Sequence, residues 1–582
     1  MNVADAIVKV LRDEGIRHVF CVPGAAIDPL LEALSRQHDV EAVVCAHEAG
    51  AAFAADGYSR ASGRFGVYAT TSGPGFTNTM TALATAYTDR SAVLAISGEV
   101  RRDAMGRGAF QDSSAAGMRA NSMATPVTAL QLDLNVPALT FNHLHRLLNG
   151  MLGHATRGPV HLSIPADVQR ADVAGSWSAL DERLYQPRFV DAHSCGAFWD
   201  RVDAGHKVAI LAGSGCVQSR AAEELKRFAE RFDVPVATTL AAKGVFPEDH
   251  PLSLGVLGWC GNHAAHDALT RGELDALFVI GSRLNMLDTV MWSEGLKPRH
   301  AMIVNDINVS NVFRDYEVDL SILGDARTCL EMLNDASHEV SARLRASRAA
   351  RRDWVSELKA RHTSNHADVR RHARADSLAA SIHPGDAILA LRRVMPRSTR
   401  LFIDSGAHAF FAGHYWTAYE PGRFFTSIKY MGAMGWAIPA AMGAQLGAQP
   451  GAQLTEPNDP CVVVTGDGCM LMHGVEIQTA ARYGVPLICV VFNNSAFGNP
   501  KLRADRVSEA MARLHALPTH DWAKFANSVG ALGITVDDPL KLTHAFEQAL
   551  AAKTTVVVDV RTGNYPTPTE RFDEEALAGS SH

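Results

Sequence analysis

Short apolar runs alternate with stretches of helical periodicity along almost the whole chain, and that alternation predicts the architecture. In residues 1–175 the runs are His18-Val19-Phe20-Cys21-Val22, Ala42-Val43-Val44, Phe65-Gly66-Val67-Tyr68-Ala69, Ala92-Val93-Leu94-Ala95-Ile96 and Pro159-Val160-His161-Leu162-Ser163-Ile164. Runs of this length, bounded by Gly, Pro and polar residues, read as buried strands, and strands separated by helices pair in parallel. A polar stretch at Gln186-Pro187 leads into residues 189–335, where 208–211, 235–239, 276–280 and 301–304 repeat the pattern. A third block, 380–565, carries runs at 401–403, 461–464, 486–492 and 555–560. The expectation is α/β throughout, as three doubly wound parallel-sheet domains.

Composition narrows the function classes. A net charge of −7 is small for 582 residues and argues against a general nucleic-acid surface. The Arg- and His-rich segment 343–374 is interrupted by acidic residues and Trp354, so it reads as a solvated helix and connector. Nine cysteines without CxxC or zinc-like spacing suit a reducing compartment and service as small apolar fillers. The start of the chain, Met1-Asn2-Val3-Ala4-Asp5-Ala6-Ile7-Val8, reads as an amphipathic helix rather than a signal peptide. No apolar run approaches the roughly 20 residues of a membrane helix. A cytoplasmic protein without membrane or nucleic-acid partners is expected, with a loose tail from Tyr565 to His582.

The chemistry concentrates at strand ends. Gly466-Asp467-Gly468 follows one apolar run, a helix is read at 474–482, and the next strand ends on Asn493-Asn494. Such a βαβ unit carries hard oxygens at the carboxyl edge of the sheet, where parallel sheets bind ligands. The glycines let backbone approach a phosphate, and Asp467 with Asn494 suits Mg²⁺. In the first block Glu48 follows a strand and opens a segment of small residues, which invites close packing by another helix or a partner subunit. A carboxylate set among Ala, Gly and Phe is expected to hold its proton more tightly through desolvation; by itself it reads as a helix-start glutamate favoured by the dipole. Gly73-Pro74-Gly75 is a strand-to-helix turn, and Gln111-Asp112 is a polar pair in a loop.

Taken together, these segments resemble the thiamin-diphosphate (ThDP) enzymes, and among them the acetolactate synthase (acetohydroxyacid synthase) catalytic subunit. HEAGAAFAADGYSR, TTSGPGFTN and AFQD carry the likeness in the first block. In the second it rests on Thr238-Thr239-Leu240, Lys243-Gly244-Val245-Phe246-Pro247 and the segment 250–258. Asp404-Ser405-Gly406-Ala407-His408, the segment 430–441 and the GDG…NN pair carry it in the third. It spans nearly the whole chain in the family's order.

The resemblance implies pyrimidine-binding, central and diphosphate-binding domains at 1–175, 189–335 and 380–565. It implies Mg²⁺ held by the side chains of Asp467 and Asn494 and the carbonyl of Ala496. Ser405, Gly406, Ala407, His408, Gly466, Gly468, Cys469, Phe497 and Gly498 would surround the diphosphate. Met434, in a loop with Gly432, would wedge beneath the cofactor. Gly73, Pro74 and Asn78 would contact it from the first domain. Glu48 and Gln111 would be catalytic, with Glu48 reaching the pyrimidine N1′ from the partner in a homodimer or homotetramer. The implied activity is decarboxylation of a 2-oxo acid and transfer of the acyl unit to a second carbonyl compound. Two alternatives stay open: a lyase or decarboxylase of benzaldehyde-lyase type, and a catalytically silent scaffold or regulatory relative.

The chain departs from the pattern at substrate-facing places. Asn499 and Arg503 stand where acetolactate synthases place methionine and tryptophan, and Ala129 stands where a lysine is expected. The loop 112–124 is longer than usual, so donor and acceptor stay open. In the central block, Gly213-Ser214-Gly215 lacks the third glycine of a dinucleotide signature, and Leu287 replaces one flavin-region arginine while Arg283 remains. FAD and an empty structural domain are therefore both kept. His143 with His145, and His263 with His266, read as surface or core histidines rather than metal pairs.

Overall fold

The structure, a computed structural model, describes residues 1–202, 207–375, 381–448 and 458–568, with the side chains of 363–375 excepted. The end of the tail, from 569 onward, and residue 380 at the head of the third block lie outside the described residues. Three six-stranded parallel sheets form, each flanked by helices.

The first sheet contains β1 (His18–Cys21), β2 (Glu41–Val44), β3 (Gly66–Thr70), β4 (Val93–Glu99), β5 (Leu130–Asp133) and β6 (Val160–Pro165), in the order β2-β1-β3-β4-β6-β5. The second contains β7 (Val208–Ala212), β8 (Val236–Thr238), β9 (Ser253–Val256), β10 (Ala276–Ile280), β11 (Ala301–Asp306) and β12 (Leu320–Leu323), ordered β12-β11-β10-β7-β8-β9. The third contains β13 (Arg400–Ile403), β14 (Phe424–Thr426), β15 (Cys461–Gly466), β16 (Ile488–Asn493), β17 (Leu532–Val536) and β18 (Val556–Arg561), ordered β14-β13-β15-β16-β18-β17. The first and third sheets thus share one topology. The second has the order of a doubly wound dinucleotide fold, with its switch point between β7 and β10.

The central strands are the apolar runs: β3, β4, β6, β15 and β16 are buried along their whole length. Around the third sheet, residues of its inner face, among them Phe402 and Val463, join the buried side chains of the first domain in one continuous core. The bridge is a pair of helices, Glu48–Ser62 and Ala437–Gly447. They meet backbone to backbone: a Cβ at Gly57 would lie 1.9 Å from the Ala440 carbonyl oxygen, and one at Gly443 1.9 Å from that of Ala54. Only glycine permits that approach. The small residues after Glu48 are therefore explained by a helix of the same chain.

A buried ionic clamp fixes the same junction. Arg60 donates to both oxygens of Asp56, at 2.9 and 2.8 Å, to Asp89 at 2.7 Å and to the Thr426 carbonyl at 2.9 Å. The Trp436 indole completes it with a 2.7 Å bond to Asp56. Every charge taken from water has partners, which is the condition for burying it.

The 343–374 segment folds as helices Ala342–Ala346 and Arg348–Ala375. One expectation fails there. Arg351 is fully buried, and its guanidinium donates to the carbonyl oxygens of Phe232 and Leu344, so this arginine ties the helix to the central domain rather than facing solvent. All nine cysteines are buried and free. Among the described residues no helix is long and apolar enough to cross a membrane.

Candidate active site

A cavity opens at the carboxyl edge of the third sheet. Residues 405–408 after β13, 466–469 after β15, and Asn494, Ala496, Phe497 and Gly498 after β16 line it, together with Met434. Gly432, also expected at the cofactor, is outside this lining; it has φ +62° and shapes the loop that carries Met434. The helix expected at 474–482 begins earlier: Asp467–His473 is helical from the GDG aspartate itself, and Glu476–Arg482 follows after a break.

Asp467 is buried. One of its oxygens accepts from the Trp522 indole at 2.9 Å, the other from the Ser495 amide at 2.7 Å. Burial pushes its pKa up, and these donors oppose the shift. Asn494 donates to Asn564 Oδ1 at 2.8 Å. That orientation turns its amide oxygen toward Asp467 Oδ2 and the Ala496 carbonyl oxygen, 3.1 and 3.0 Å away. In that orientation the amide oxygen faces only acceptors, at about the 3.0 Å that neighbouring oxygens keep around an octahedral Mg²⁺. With the amide reversed, its nitrogen donates to both neighbours instead, and the cluster is satisfied by hydrogen bonds alone.

The surroundings of this set are tightly specified. A Cβ on Gly468 would come within 2.7 Å of the Met434 methyl and 2.6 Å of the Phe497 ring, so a side chain there would displace both. His408 is buried, with Nε2 3.0 Å from the Asp404 carbonyl oxygen, and burial holds its pKa down at about 4. The Cys469 thiol donates to the Ser405 carbonyl at 3.2 Å. The Met434 loop is anchored from below by Asp404, whose Oδ1 accepts from the amides of Gly435 (2.8 Å) and Trp436 (3.1 Å) and whose Oδ2 accepts from Thr465. Asp404 is fully buried, which lifts its pKa to about 6.

The first domain gathers a second set. Glu48 is the first residue of its helix and is half-buried in the single chain, less enclosed than its apolar neighbours in sequence suggest. Its Oε2 accepts from Asn78 Nδ2 at 2.9 Å. Gly73 donates to Ser113 Oγ at 2.6 Å, and a Cβ on Gly73 would stand 3.1 Å from the Gln111 side chain. Glu48, Asn78, Pro74, Gly73 and Gln111 therefore occupy one sheet edge, yet none of them lines the cavity of the third domain.

Sequence reasoning passed over Asp404, Trp522 and Asn564, which hold the Met434 loop, Asp467 and Asn494. Asp404 stood inside a quoted motif; the other two offered no signal, since they reach the site only through tertiary packing. Glu99 was also missed. Buried at the end of β4, it accepts from the amides of Val100 and Ser113, and burial lifts its pKa to about 7.

The central domain borders a larger cleft, reaching from Ser214-Gly215 at the β7 turn to Gly281 and Arg283 after β10. It lies at the topological switch point, where doubly wound sheets bind dinucleotides. Arg90, Arg157, Arg188, Arg220 and Lys429 also face it. Burial lowers the pKa of Arg157, and burial with neighbouring arginines brings Arg220 down to about 10. Neither makes an ion pair among the described residues. Leu287 is not part of the lining. Of the histidine pairs, His145 stacks on Trp177, and among the described residues no group of three His, Cys, Asp or Glu is arranged to hold a metal.

Family models match in the same three places. The N-terminal TPP binding domain of thiamine pyrophosphate enzymes matches residues 1–118, their central domain 197–333, and their C-terminal TPP binding domain 404–560. A probable acetolactate synthase large subunit of Methanocaldococcus jannaschii is 30% identical over 573 residues, covering 96% of this chain and 92% of that protein. The chain belongs to the thiamine pyrophosphate enzymes. It is also similar to the acetolactate synthase large subunit of Haemophilus influenzae, 28% identical with 96% and 94% covered, and to isozyme 3 of Escherichia coli, 27% identical with 94% and 92% covered. The expected family and fold class are thereby met.

Proposed function

We propose that the protein is a ThDP- and Mg²⁺-dependent enzyme that decarboxylates a 2-oxo acid and carries the acyl unit to a second carbonyl compound, in the manner of acetolactate synthase. The observation that supports it most is the cavity that brings the buried Asp467 together with Asn494, Ala496, Met434 and the GDG turn at one sheet edge.

ThDP, when bound, supplies the electron sink for loss of CO₂. The chain's own residues do the rest. Asp467, Asn494 and Ala496 would fix the ion and with it the diphosphate, while residues 405–408 and Gly468 leave room for phosphate oxygens. Met434, held by Asp404 through its loop, would support the cofactor's middle. Glu48 would keep a proton at the pyrimidine N1′, the arrangement that makes the exocyclic nitrogen basic. Glu48 and the cavity belong to separate edges of one chain, which supports a site completed by a second copy, in a homodimer or homotetramer.

The central cleft suits an FAD-type dinucleotide. Its glycine turn lies at the switch point, and its unpaired arginines would meet a pyrophosphate.

The test is protein reconstituted with ThDP and Mg²⁺, incubated with a panel of 2-oxo acids and aldehyde or 2-oxo acid acceptors, with products read by mass spectrometry. Ligated products are expected. Free aldehyde alone across the panel would instead favour the lyase or decarboxylase reading. Flavin absorbance on the purified protein, or its recovery after FAD is added, tests the central cleft.

A further inference from the structure

The turn that carries Glu48 is gripped by the third domain of its own chain. The helix Glu476–Arg482, a few residues beyond Asp467, presents Glu476 and, one residue past its end, Tyr483 to the β2–Glu48 connection. Residues seven apart fall on one side of a helix. Glu476 is fully buried: one carboxylate oxygen accepts from the His47 amide at 3.0 Å, the other from the Ala46 amide at 3.2 Å and from Thr479 Oγ at 2.7 Å. The Tyr483 hydroxyl accepts from the Val44 amide at 2.8 Å and lies 3.3 Å from the Ala42 carbonyl. Strand β2 is an edge strand, so these are the backbone groups its sheet leaves open. A Cβ at Gly50 would fall 2.0 Å from Glu476 Oε1, so the carboxylate sits directly on the first turn of the Glu48 helix.

An ordinary interdomain contact would bury apolar side chains. Here a carboxylate is spent on the two amides immediately before Glu48, where an exposed loop would have left them to water. Nothing in the reaction outlined above uses Glu476. Two of the three hydrogen bonds it accepts go to the turn where the Glu48 helix begins, the third to Thr479 of its own helix, and it does so from the segment that starts with Asp467.

We infer that Glu476 is a positioning residue for Glu48, tying the turn that bears the acid to the metal-bearing segment of the same chain. The inference rests on the functional reading above. Because Glu48 would act on cofactor held by a second copy, this link also makes the fit of each protomer's acid depend on the order of its own metal segment.

The experiment compares wild type, Glu476→Gln, Glu48→Gln and Tyr483→Phe, each with ThDP and Mg²⁺. It reads hydrogen exchange at the Ala46 and His47 amides, exchange of the cofactor C2 hydrogen, and ThDP affinity by calorimetry. In Glu476→Gln one carboxamide oxygen remains for two amides. Their exchange is expected to rise about tenfold or more and the C2 exchange to fall about tenfold, with ThDP affinity within about threefold of wild type. Glu48→Gln should slow C2 exchange with both amides still protected. Tyr483→Phe leaves the buried carboxylate in place and should give a smaller version of the Glu476→Gln pattern, which keeps the idea open to refutation if Glu476→Gln does not fold. Unchanged amide protection, or freed amides with C2 exchange as in wild type, overturns the inference. Wild-type protein that binds no ThDP sinks the functional reading instead, while the amide exchange still decides whether Glu476 holds the turn.

Discussion

The first and third sheets run through the same strand order, yet their carboxyl edges are furnished in opposite ways. The third presents a cavity that gathers Asp467, Asn494 and Ala496, with the aspartate buried and a loop tied down from beneath. The first presents Glu48 half-exposed, with a single side-chain partner in Asn78. A shared topology therefore supplied two edges, of which one gathers its polar groups in a cavity and the other leaves its acid at the rim. The contrast teaches that fold explains where chemistry gathers, while the side chains decide what is held there.

Four substitutions sharpen that contrast, beginning with the largest expected effect. Glu48→Gln should slow exchange of the cofactor C2 hydrogen by about 10²- to 10⁴-fold, the range of general acid–base catalysis, with little change in ThDP affinity. If the rate survives, the open edge is not catalytic. Asp467→Ala should weaken ThDP binding in the presence of Mg²⁺ by about 100-fold, roughly 3 kcal/mol; wild-type affinity by calorimetry would remove the ion from the third-sheet edge.

Asp404 offers a pH test. Its folded pKa of about 6 exceeds that of an unfolded aspartate, so the folded state holds the proton more tightly. Its contribution to stability is present below about pH 4 and is lost as pH rises through 6. The difference in melting temperature between wild type and Asp404→Asn should shift across that window in favour of the variant; a flat difference would mean the aspartate is not buried as described. The smallest effect is expected at the rim. Arg503, exposed on the helix Gly498–Asp505 beside the cavity-lining Leu502, should favour acceptors bearing a carboxylate. Arg503→Ala should raise KM for those by about threefold, a loss near that of one exposed ion pair, and leave neutral aldehydes unaffected.

Much of this was legible beforehand, for a physical reason. Central strands buried on both faces must be apolar runs, so β3, β4, β7, β10, β15, β16 and β18 stand out in the sequence. Edge strands need not be. β5, β12 and β17 are half-exposed, with mixed sequences such as Leu130-Gln131-Leu132-Asp133, and periodicity did not find them. β9 and β14 are more buried but only four and three residues long. The residues lining the cavity of the third sheet were legible because the GDG turn and the paired asparagines lie close in sequence. Its supports were not: Trp522 and Asn564 arrive from distant segments, and Glu476 shows its purpose only once the helix Glu476–Arg482 is laid against the β2 edge. The enclosure expected for Glu48 is absent from the single chain because the third-domain helix covers the far side of its helix and leaves the acid at the rim.

The backbone contact at Gly57 and Gly443 carries a consequence for biosynthesis. The Glu48–Ser62 helix leaves the ribosome on the order of a minute before Ala437–Gly447, at ordinary elongation rates. Through that interval the amino-terminal domain carries a bare, alanine-rich flank with nothing to cover it. Newly made chains should therefore depend on holdase chaperones, and a fragment ending before the third domain should aggregate rather than fold on its own.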